Sequence, residues 1–361
     1  MLNTIIIIAA ILILVILFAI FRVSSLVDVI KGDSSTQIPS SNGTQANLLL
    51  LFLIVGLVGG FYYSFGGLED DFVLPVASKH GVITDTLFWW TMAITGVVFI
   101  VTHIFLFGFS WKYQHRKNQV AYFYPHNNKL EMIWTIIPAI VLAALVFTGW
   151  KAWMDITRES PEGSEVIEIM GYQYAWAVRY PGADNVLGNY NYLKIDATNQ
   201  MGIDFSDRAS FDDFIPREIH VPKGKPVRFN IRARDVIHSV YQPHFRLQMN
   251  AVPGMPTQFW FEPTKTTEEM RTETKNPDFQ YELVCNKICG QGHFAMRYII
   301  VVDELEDYKE WFKSQEPWLK QNADYLTEVP AKLREAASVV AGIESPADLN
   351  APNGLTVSGS K

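Results

Sequence analysis

The chain has 361 residues, and residues 1 to about 155 consist mainly of long apolar runs, whereas the remainder has the mixed composition of a globular domain. The formal net charge of −7 argues against nucleic acid as a ligand and mildly favours basic protein partners. The only two cysteines are Cys285 and Cys289, which excludes a disulfide framework.

Four apolar runs are each long enough to cross a bilayer as a helix, which takes about 20 residues. The first could be a signal peptide, but it lacks a basic start and the sequence Phe-Arg-Val-Ser-Ser is a poor cleavage site, so a retained helix is favoured. We therefore expect two N-terminal helices in residues 1–66 and two further helices in residues 86–155. The four runs cover about Thr4–Phe21, Ala46–Phe65, Leu87–Phe109 and Met132–Trp153.

The charges of the connecting loops predict the orientation of these helices. The loop between the third and fourth runs has four basic residues and no acidic one before Glu131, so it is expected on the cytoplasmic side. The loop before the third run has four acidic residues and only Lys79 as a base, which predicts the opposite side. The chain after Trp153 is therefore expected to lie outside, in the periplasm or its equivalent.

Glu131 stands at the cytoplasmic start of the fourth run. A carboxylate in the first turn of a helix can cap its free N–H groups and interact favourably with the helix dipole. The chemistry of the residue alone favours this capping role over a role in proton transfer.

Residues 156–315 are predicted to form one exterior β-domain. Its short β-rich runs are separated by turn residues without intervening helices, which is typical of a sandwich or barrel. We expect a polar excursion from the sheet at about residues 182–216, a short amphipathic helix at residues 303–315, and a loose tail at residues 316–361. The predicted strands are Val166–Tyr180, Lys225–Ala233, Thr257–Glu262, Phe279–Val284 and Arg297–Val302.

One segment of this domain concentrates groups that bind metals. It reads Cys285-Asn-Lys-Ile-Cys289-Gly-Gln-Gly-His293-Phe-Ala-Met296. Thiolate and thioether sulfur together with imidazole select copper over hard cations. The thioether argues against zinc, whose structural sites use Cys and His alone. A disulfide or a zinc staple remains possible, but either would leave the clustered His293 and Met296 without a role.

The second thiolate points to two metal ions, because a single-copper electron-transfer site needs only one. Two bridging thiolates require a second histidine from elsewhere in the domain. His220, His238 and His244 are the candidates, and the sequence favours His238 weakly, since it follows a predicted strand.

With these motifs the chain resembles cytochrome c oxidase subunit II over most of residues 129–312. Three blocks carry the resemblance: Glu131-Met-Ile-Trp-Thr-Ile-Ile-Pro138, Asp235-Val-Ile-His-Ser239 with Ala251-Val-Pro-Gly254, and the cysteine segment. The resemblance implies a membrane-anchored protein, in which a transmembrane helix hairpin precedes an all-β, cupredoxin-like Greek-key barrel. The two extra N-terminal spans are not part of the common family pattern.

The resemblance also implies a binuclear copper centre of the CuA type. In that centre Cys285 and Cys289 would bridge two copper ions, with His238 on one ion and His293 on the other. Met296 and the main-chain carbonyl of Lys287 would be weak ligands. The family usually has Glu at position 287, where its side chain reaches a magnesium ion, so Lys287 places that magnesium site in doubt.

The family pattern Gly-His-Gln-Trp-x-Trp reads Gly171-Tyr-Gln-Tyr-Ala-Trp176 here. The resemblance makes Tyr174 and Trp176 the surface where electrons enter from haem c. It also makes Glu131 the start of a proton path into subunit I. With the resemblance, this role is favoured over helix capping. Asp235 matches an acidic position of the cytochrome c docking face, whereas Asn250 replaces another, which suggests a tethered or already bound donor.

The implied protein is a subunit of a proton-pumping terminal oxidase, a multi-pass protein of a bacterial inner membrane with its copper domain in the periplasm. Its partners would be subunit I, which holds the haem, subunit III, and cytochrome c or a membrane-bound haem c donor. The extra spans could dock the subunit to a donor complex in a supercomplex. The alternatives are a quinol oxidase subunit, a membrane-tethered copper chaperone or sensor, and nitrous oxide reductase. The filled ligand positions argue against a quinol oxidase subunit, and Glu131 argues against a copper chaperone or sensor. The membrane hairpin argues against nitrous oxide reductase.

Overall fold

A computed structural model describes residues 2–30, 41–66, 74–116 and 119–343. The chain forms two compact units. One consists of Met1–Val73 with Trp89–Leu142, and the other of Leu74–Phe88 with Ala143–Lys361.

Four long helices occupy the apolar N-terminal half: α1 (Leu2–Ile30), α2 (Ser41–Phe65), α3 (Lys79–Lys112) and α4 (Asn128–Thr157). Within the described residues, three of them are long and apolar enough to cross a membrane, namely α2 from Asn42, α3 and α4. Their apolar side chains are almost entirely exposed, as expected of surfaces that face lipid. The second, third and fourth predicted spans are confirmed as apolar helices of sufficient length, and the chain is a membrane protein. The first remains a prediction, because the apolar stretch described within α1 covers only Ile11–Ser24.

The β-domain contains two β-sheets. The first has the strand order β2-β1-β4-β7 and the second the order β3-β9-β8-β5-β6. Strands β1 and β4 are parallel, as are β3 and β9, while the other pairs are antiparallel. The strands are β1 (Glu165–Tyr172), β2 (Ala175–Arg179), β3 (Ile219–Pro222), β4 (Val227–Ala233), β5 (His238–Gln242), β6 (Leu247–Ala251), β7 (Thr257–Phe261), β8 (Tyr281–Cys285) and β9 (Arg297–Asp303).

The five predicted strand regions are confirmed, although the first is divided. A turn at Gln173 and Tyr174 splits the expected strand Val166–Tyr180 into the antiparallel hairpin β1–β2. Three short strands, β3, β5 and β6, were not predicted. The two sheets enclose one hydrophobic core, which includes Ile167, Ile169, Phe229, Phe245, Phe261, Tyr281, Leu283 and Ile300.

Short helices follow the last strands. Helix α5 (Thr267–Thr274) begins with a capping box, in which Thr266 and Glu269 each bond the other's main-chain N–H. Helix α6 (Leu305–Lys313) confirms the predicted amphipathic helix, because Trp311 and Phe312 pack against the core between the sheets.

The prediction of a loose tail is wrong up to Ile343. Helices α7 (Trp318–Gln321) and α8 (Arg334–Ala341) form a second hydrophobic core with the excursion at residues 182–216. The rings of Phe205 and Trp318 stack with their centroids 5.6 Å apart. Leu333, which directly precedes α8, and Ala337 and Ala341 within it recur every four residues and are buried in this core. Residues 344–361 lie outside the described residues.

Candidate metal centre

Neighbouring strands of the second sheet place the histidine and the first cysteine together. Strand β5 begins at His238 and pairs with β8, which ends at Cys285, so that Val240 lies opposite Cys285. The segment after Cys285 returns to the sheet at β9, and the N–H of Cys285 donates to the carbonyl of Met296 at 3.2 Å. The metal-binding segment is therefore the loop of a β-hairpin, and both of its ends are fixed by the sheet.

The nearest ligand atoms of His238, Cys285 and Cys289 all lie within 4.8 Å of one another. All three side chains are buried, and within the described residues both thiols are free. Burial first, and then the neighbouring thiol of Cys285, raise the pKa of Cys289 to about 11. Metal binding at neutral pH would therefore have to displace a proton from this sulfur.

The remaining candidate ligands surround the same two sulfur atoms. The Sγ atom of Cys289 lies 3.3 Å from Sδ of Met296 and 3.6 Å from Nδ1 of His293. The Sγ atom of Cys285 lies 3.2 Å from the carbonyl oxygen of Lys287, whose side chain is exposed. The structure thus brings every ligand expected from the sequence to one place.

His238 has one nitrogen bonded and one nitrogen free. Its Nε2 lies 2.9 Å from Oδ1 of Asp235, and because a carboxylate can only accept, Nε2 carries the proton. Its Nδ1 is buried and has no hydrogen-bond partner among the described residues. A buried lone pair without a partner is costly unless a ligand binds it. The donor set and this free nitrogen therefore fit a thiophilic metal ion such as copper.

Asp235 is held in its ionised form. Partial burial alone would raise its pKa, but hydrogen bonds from His238 and from the N–H groups of Gln173 and Val236 lower the pKa below its ordinary value. The acid expected on a docking face thus bonds the histidine beside the thiols.

The other candidate histidines lie elsewhere and are engaged. Nδ1 of His220 lies 2.6 Å from Asp303, and its ring stacks on Trp311 at 4.2 Å. Nδ1 of His244 bonds the carbonyl of Pro75 at 2.9 Å.

The two aromatic residues expected at the point where electrons enter differ in exposure. Tyr174 is 40% exposed, and its hydroxyl accepts the N–H of Gln291 at 3.1 Å. Trp176 is only 4% exposed and forms a T-shaped contact with the ring of His238, with the centroids 6.0 Å apart. The expectation of a surface position is therefore wrong for Trp176, which is a core residue next to a candidate ligand.

Glu131 caps its helix. Its Oε1 accepts the N–H of Asn127 at 3.3 Å, while Oδ1 of Asn127 accepts the N–H of Leu130 at 3.1 Å. Its carboxylate is exposed in the first turn of α4, so capping does not exclude a second role.

Gln173 is a site residue that the sequence analysis missed. Its side-chain amide donates to the carbonyl of Cys289 at 2.6 Å, and its main-chain N–H donates to Asp235 at 2.7 Å. The only signal in the sequence was its place between Tyr172 and Tyr174 in the aromatic motif.

A β-domain with a histidine and cysteine cluster, carried by apolar helices, defines a membrane-anchored protein of the cupredoxin type. Residues 74–151 match the transmembrane domain of cytochrome c oxidase subunit II, and residues 165–304 match the periplasmic domain of that subunit. The chain belongs to the cytochrome c oxidase subunit II family. It is thus a subunit of a haem–copper oxidase complex, and the family implies a copper centre.

Two curated relatives illustrate this membership. The alternative cytochrome c oxidase subunit 2 of Bradyrhizobium diazoefficiens is 33% identical over 273 residues, which cover 74% of this chain and 91% of the relative. Cytochrome c oxidase subunit 2 of Cereibacter sphaeroides is 27% identical over 249 residues, which cover 66% of this chain and 77% of the relative.

Solved structures give weaker likenesses. The periplasmic domain of subunit II of cytochrome oxidase from Bradyrhizobium japonicum is 22% identical, with a TM-score of 0.30 over 43% of this chain and 94% of that one. A chain of a heme-copper terminal oxidase dimer is 17% identical, with a TM-score of 0.29 over 49% of this chain and 99% of that one.

Proposed function

We propose that the chain receives single electrons from haem c of a donor at a two-copper centre and passes them to haem in subunit I. Oxygen is reduced to water there, coupled to proton pumping. The observation that carries this proposal is the buried cluster of His238, Cys285 and Cys289, whose ligand atoms lie within 4.8 Å of one another while Nδ1 of His238 has no hydrogen-bond partner among the described residues.

In the proposed centre, Cys285, Cys289, His238 and His293 would hold two copper ions. Met296 and the carbonyl of Lys287 would be weak ligands. When bound, the copper would supply one-electron transfer.

The protein's own contribution is to hold these ligands in place before the metal binds. The β8–β9 hairpin fixes both ends of the loop, and Asp235 holds the protonated Nε2 of His238, so that Nδ1 is left to bind a metal. Burial of both thiols and of Met296 keeps water away from the sulfur atoms. A rigid, dry site changes little when the charge changes, which favours fast electron transfer.

Electrons would enter near Tyr174, the exposed aromatic residue in contact with the loop. Ile288 and Phe294 of the same loop are 85% and 89% exposed. Such apolar side chains on a surface suit a protein partner. The donor would be cytochrome c or a membrane-bound haem c protein, and the carboxylate of Asp235 is already engaged by His238.

Family membership supports the remaining assignments, which are part of the proposal. We place the domain in the periplasm, on a bacterial inner membrane, with subunits I and III as partners. Glu131, exposed at the start of α4, would open the proton path into subunit I. Magnesium is not part of the proposal, because the ammonium group of Lys287 cannot bind a cation.

Paramagnetic resonance of the detergent-solubilised full chain loaded with copper tests the centre. We expect seven hyperfine lines from one electron shared by two copper nuclei, and their loss in Cys289→Ser. Asp324→Asn, an exposed change away from the loop, serves as the control. A four-line mononuclear signal, or no bound copper, would contradict the proposal.

The two N-terminal helices α1 and α2 would dock the subunit to a membrane complex that delivers electrons directly. Purification in a gentle detergent tests this. Co-purification of a haem c complex supports it, whereas an oxidase purified alone with full activity from soluble cytochrome c argues against it.

A further inference from the structure

We propose that Gln173 and Tyr174, the turn between β1 and β2, are positioning residues that hold Cys289–Gln291 in its metal-binding conformation before any metal binds. The identity of the metal rests on the proposed function. The positioning itself can be tested on the metal-free chain.

Two hydrogen bonds fix the loop on either side of Gly290. The side-chain amide of Gln173 donates to the carbonyl of Cys289 at 2.6 Å, and the hydroxyl of Tyr174 accepts the N–H of Gln291 at 3.1 Å. One turn of the first sheet thereby satisfies a main-chain acceptor and a main-chain donor that flank a single loop residue. Neither group belongs to a β-ladder, and the turn bond from the N–H of His293 to the carbonyl of Gly290 engages neither of them.

Glycines make this close approach possible. A Cβ atom on Gly290 would lie 2.5 Å from the hydroxyl oxygen of Tyr174, and one on Gly292 would lie 2.6 Å from Cγ of the same ring. Gly290 also has a φ of +137°, a region that other residues rarely adopt. The loop is therefore built to lie directly on the tyrosine ring.

The same turn is tied to the histidine side of the site. The main-chain N–H of Gln173 donates to Oδ2 of Asp235 at 2.7 Å, and Oδ1 of Asp235 bonds Nε2 of His238 at 2.9 Å. The turn thus connects His238 in one direction and the carbonyl of Cys289 in the other. A shift of the turn would therefore change the position of His238 relative to Cys289.

The hydroxyl of Tyr174 is the part of the turn that can be removed most cleanly. A phenol oxygen can accept a hydrogen bond, whereas phenylalanine has no such atom and the indole nitrogen of tryptophan can only donate. Tyr174→Phe and Tyr174→Trp both keep an aromatic ring but cannot accept the N–H of Gln291. The two variants therefore test the hydrogen bond while an aromatic ring is still present for electron entry.

The experiment is hydrogen exchange of residues 289–296 in the metal-free, detergent-solubilised full chain. We expect about fivefold faster exchange in Tyr174→Phe, Tyr174→Trp and Gln173→Leu, the effect of one net hydrogen bond. Tyr192→Phe, at a 74% exposed tyrosine, is the matched control. Unchanged exchange at β4 shows that the variants remain folded.

The copper-loaded variants give a second readout. Tyr174→Phe should release copper to a chelator about fivefold faster and alter the hyperfine splitting, while Tyr192→Phe does neither. Wild-type exchange and wild-type copper release in both Tyr174→Phe and Gln173→Leu would overturn the positioning role. Faster exchange in a chain that binds no copper would support positioning and contradict the proposed function, so the two failures are distinguishable.

Discussion

The guanidinium of Arg179 lies 3.1 Å from the carboxylate of Asp213, and both side chains are fully buried. Arg179 belongs to β2, whereas Asp213 belongs to the excursion at residues 182–216. The main-chain N–H of Trp318 also donates to the carbonyl of Asp213 at 2.7 Å. This buried contact between Arg179 and Asp213 therefore lies where the excursion, the first sheet and the C-terminal helices meet.

The stability of this junction is expected to depend on pH. Burial raises the pKa of Asp213 to about 8, more than the charge of Arg179 lowers it. Because the folded pKa lies above the unfolded value, the folded state binds the proton more tightly, and stability falls as pH rises from about 4 to about 8. Exchange of the Trp318 amide, corrected for its intrinsic rate, should accelerate over that range.

Asp213→Asn should remove this pH dependence, since an amide does not titrate. Asp278→Asn, at an exposed position, should preserve it. A Trp318 amide whose corrected exchange stays constant between pH 5 and 8 in the wild type would show that Asp213 remains ionised.

Glu168 forms salt bridges with two buried arginines. Its carboxylate lies 2.7 Å from Arg179 and 2.7 Å from Arg232. Burial alone would raise the pKa of Glu168, but the two guanidinium groups lower it below its ordinary value. Glu168→Gln would leave two buried cations short of a counter-charge, and we expect it to cost about 3–5 kcal/mol in the free energy of unfolding.

Urea unfolding of the solubilised chain, followed by near-ultraviolet circular dichroism, measures this cost. Glu306→Gln removes an exposed ion pair with Lys309 and should leave the midpoint unchanged. Equal midpoints for the two variants would mean that the buried cluster is not structurally important.

The second hydrophobic core should depend on Trp318, which is buried and stacked on Phe205. Trp318→Ala opens a large cavity, and the expected loss is about 3–5 kcal/mol. Faster hydrogen exchange should appear both in residues 201–211 and in α8, because they share this core. Val339→Ala, on the exposed side of α8, should leave both segments protected. Acceleration in α8 alone would show that the excursion folds independently.

The sequence predicted the features whose signals are local. Long apolar runs indicate helices wherever they occur, and the spacing from Cys285 to Met296 places sulfur and imidazole in one loop without knowledge of the fold. The contact between Gln173 and Cys289 spans 116 positions, and no local pattern indicates such a contact. The helices after Pro317 were missed for the same reason, since the partners of Trp318 lie in the remote excursion. Strands β5 and β6 are short and partly polar, so their pairing depends on neighbours that only the fold supplies.

Asp235 and Lys287 offer a direct comparison of two charged residues beside the same cluster. Asp235 bonds Nε2 of His238, whereas the side chain of Lys287 is exposed and only its carbonyl approaches Cys285. Asp235→Ala should therefore lower the copper affinity about 10- to 100-fold, as loss of a carboxylate behind a metal-bound histidine does. Lys287→Ala should leave the affinity unchanged, because every residue supplies the same carbonyl. Competition with a chelator of known affinity measures the copper affinity of both variants. A larger loss of affinity in Lys287→Ala than in Asp235→Ala would mean that charge near the loop, rather than the orientation of His238, controls metal binding.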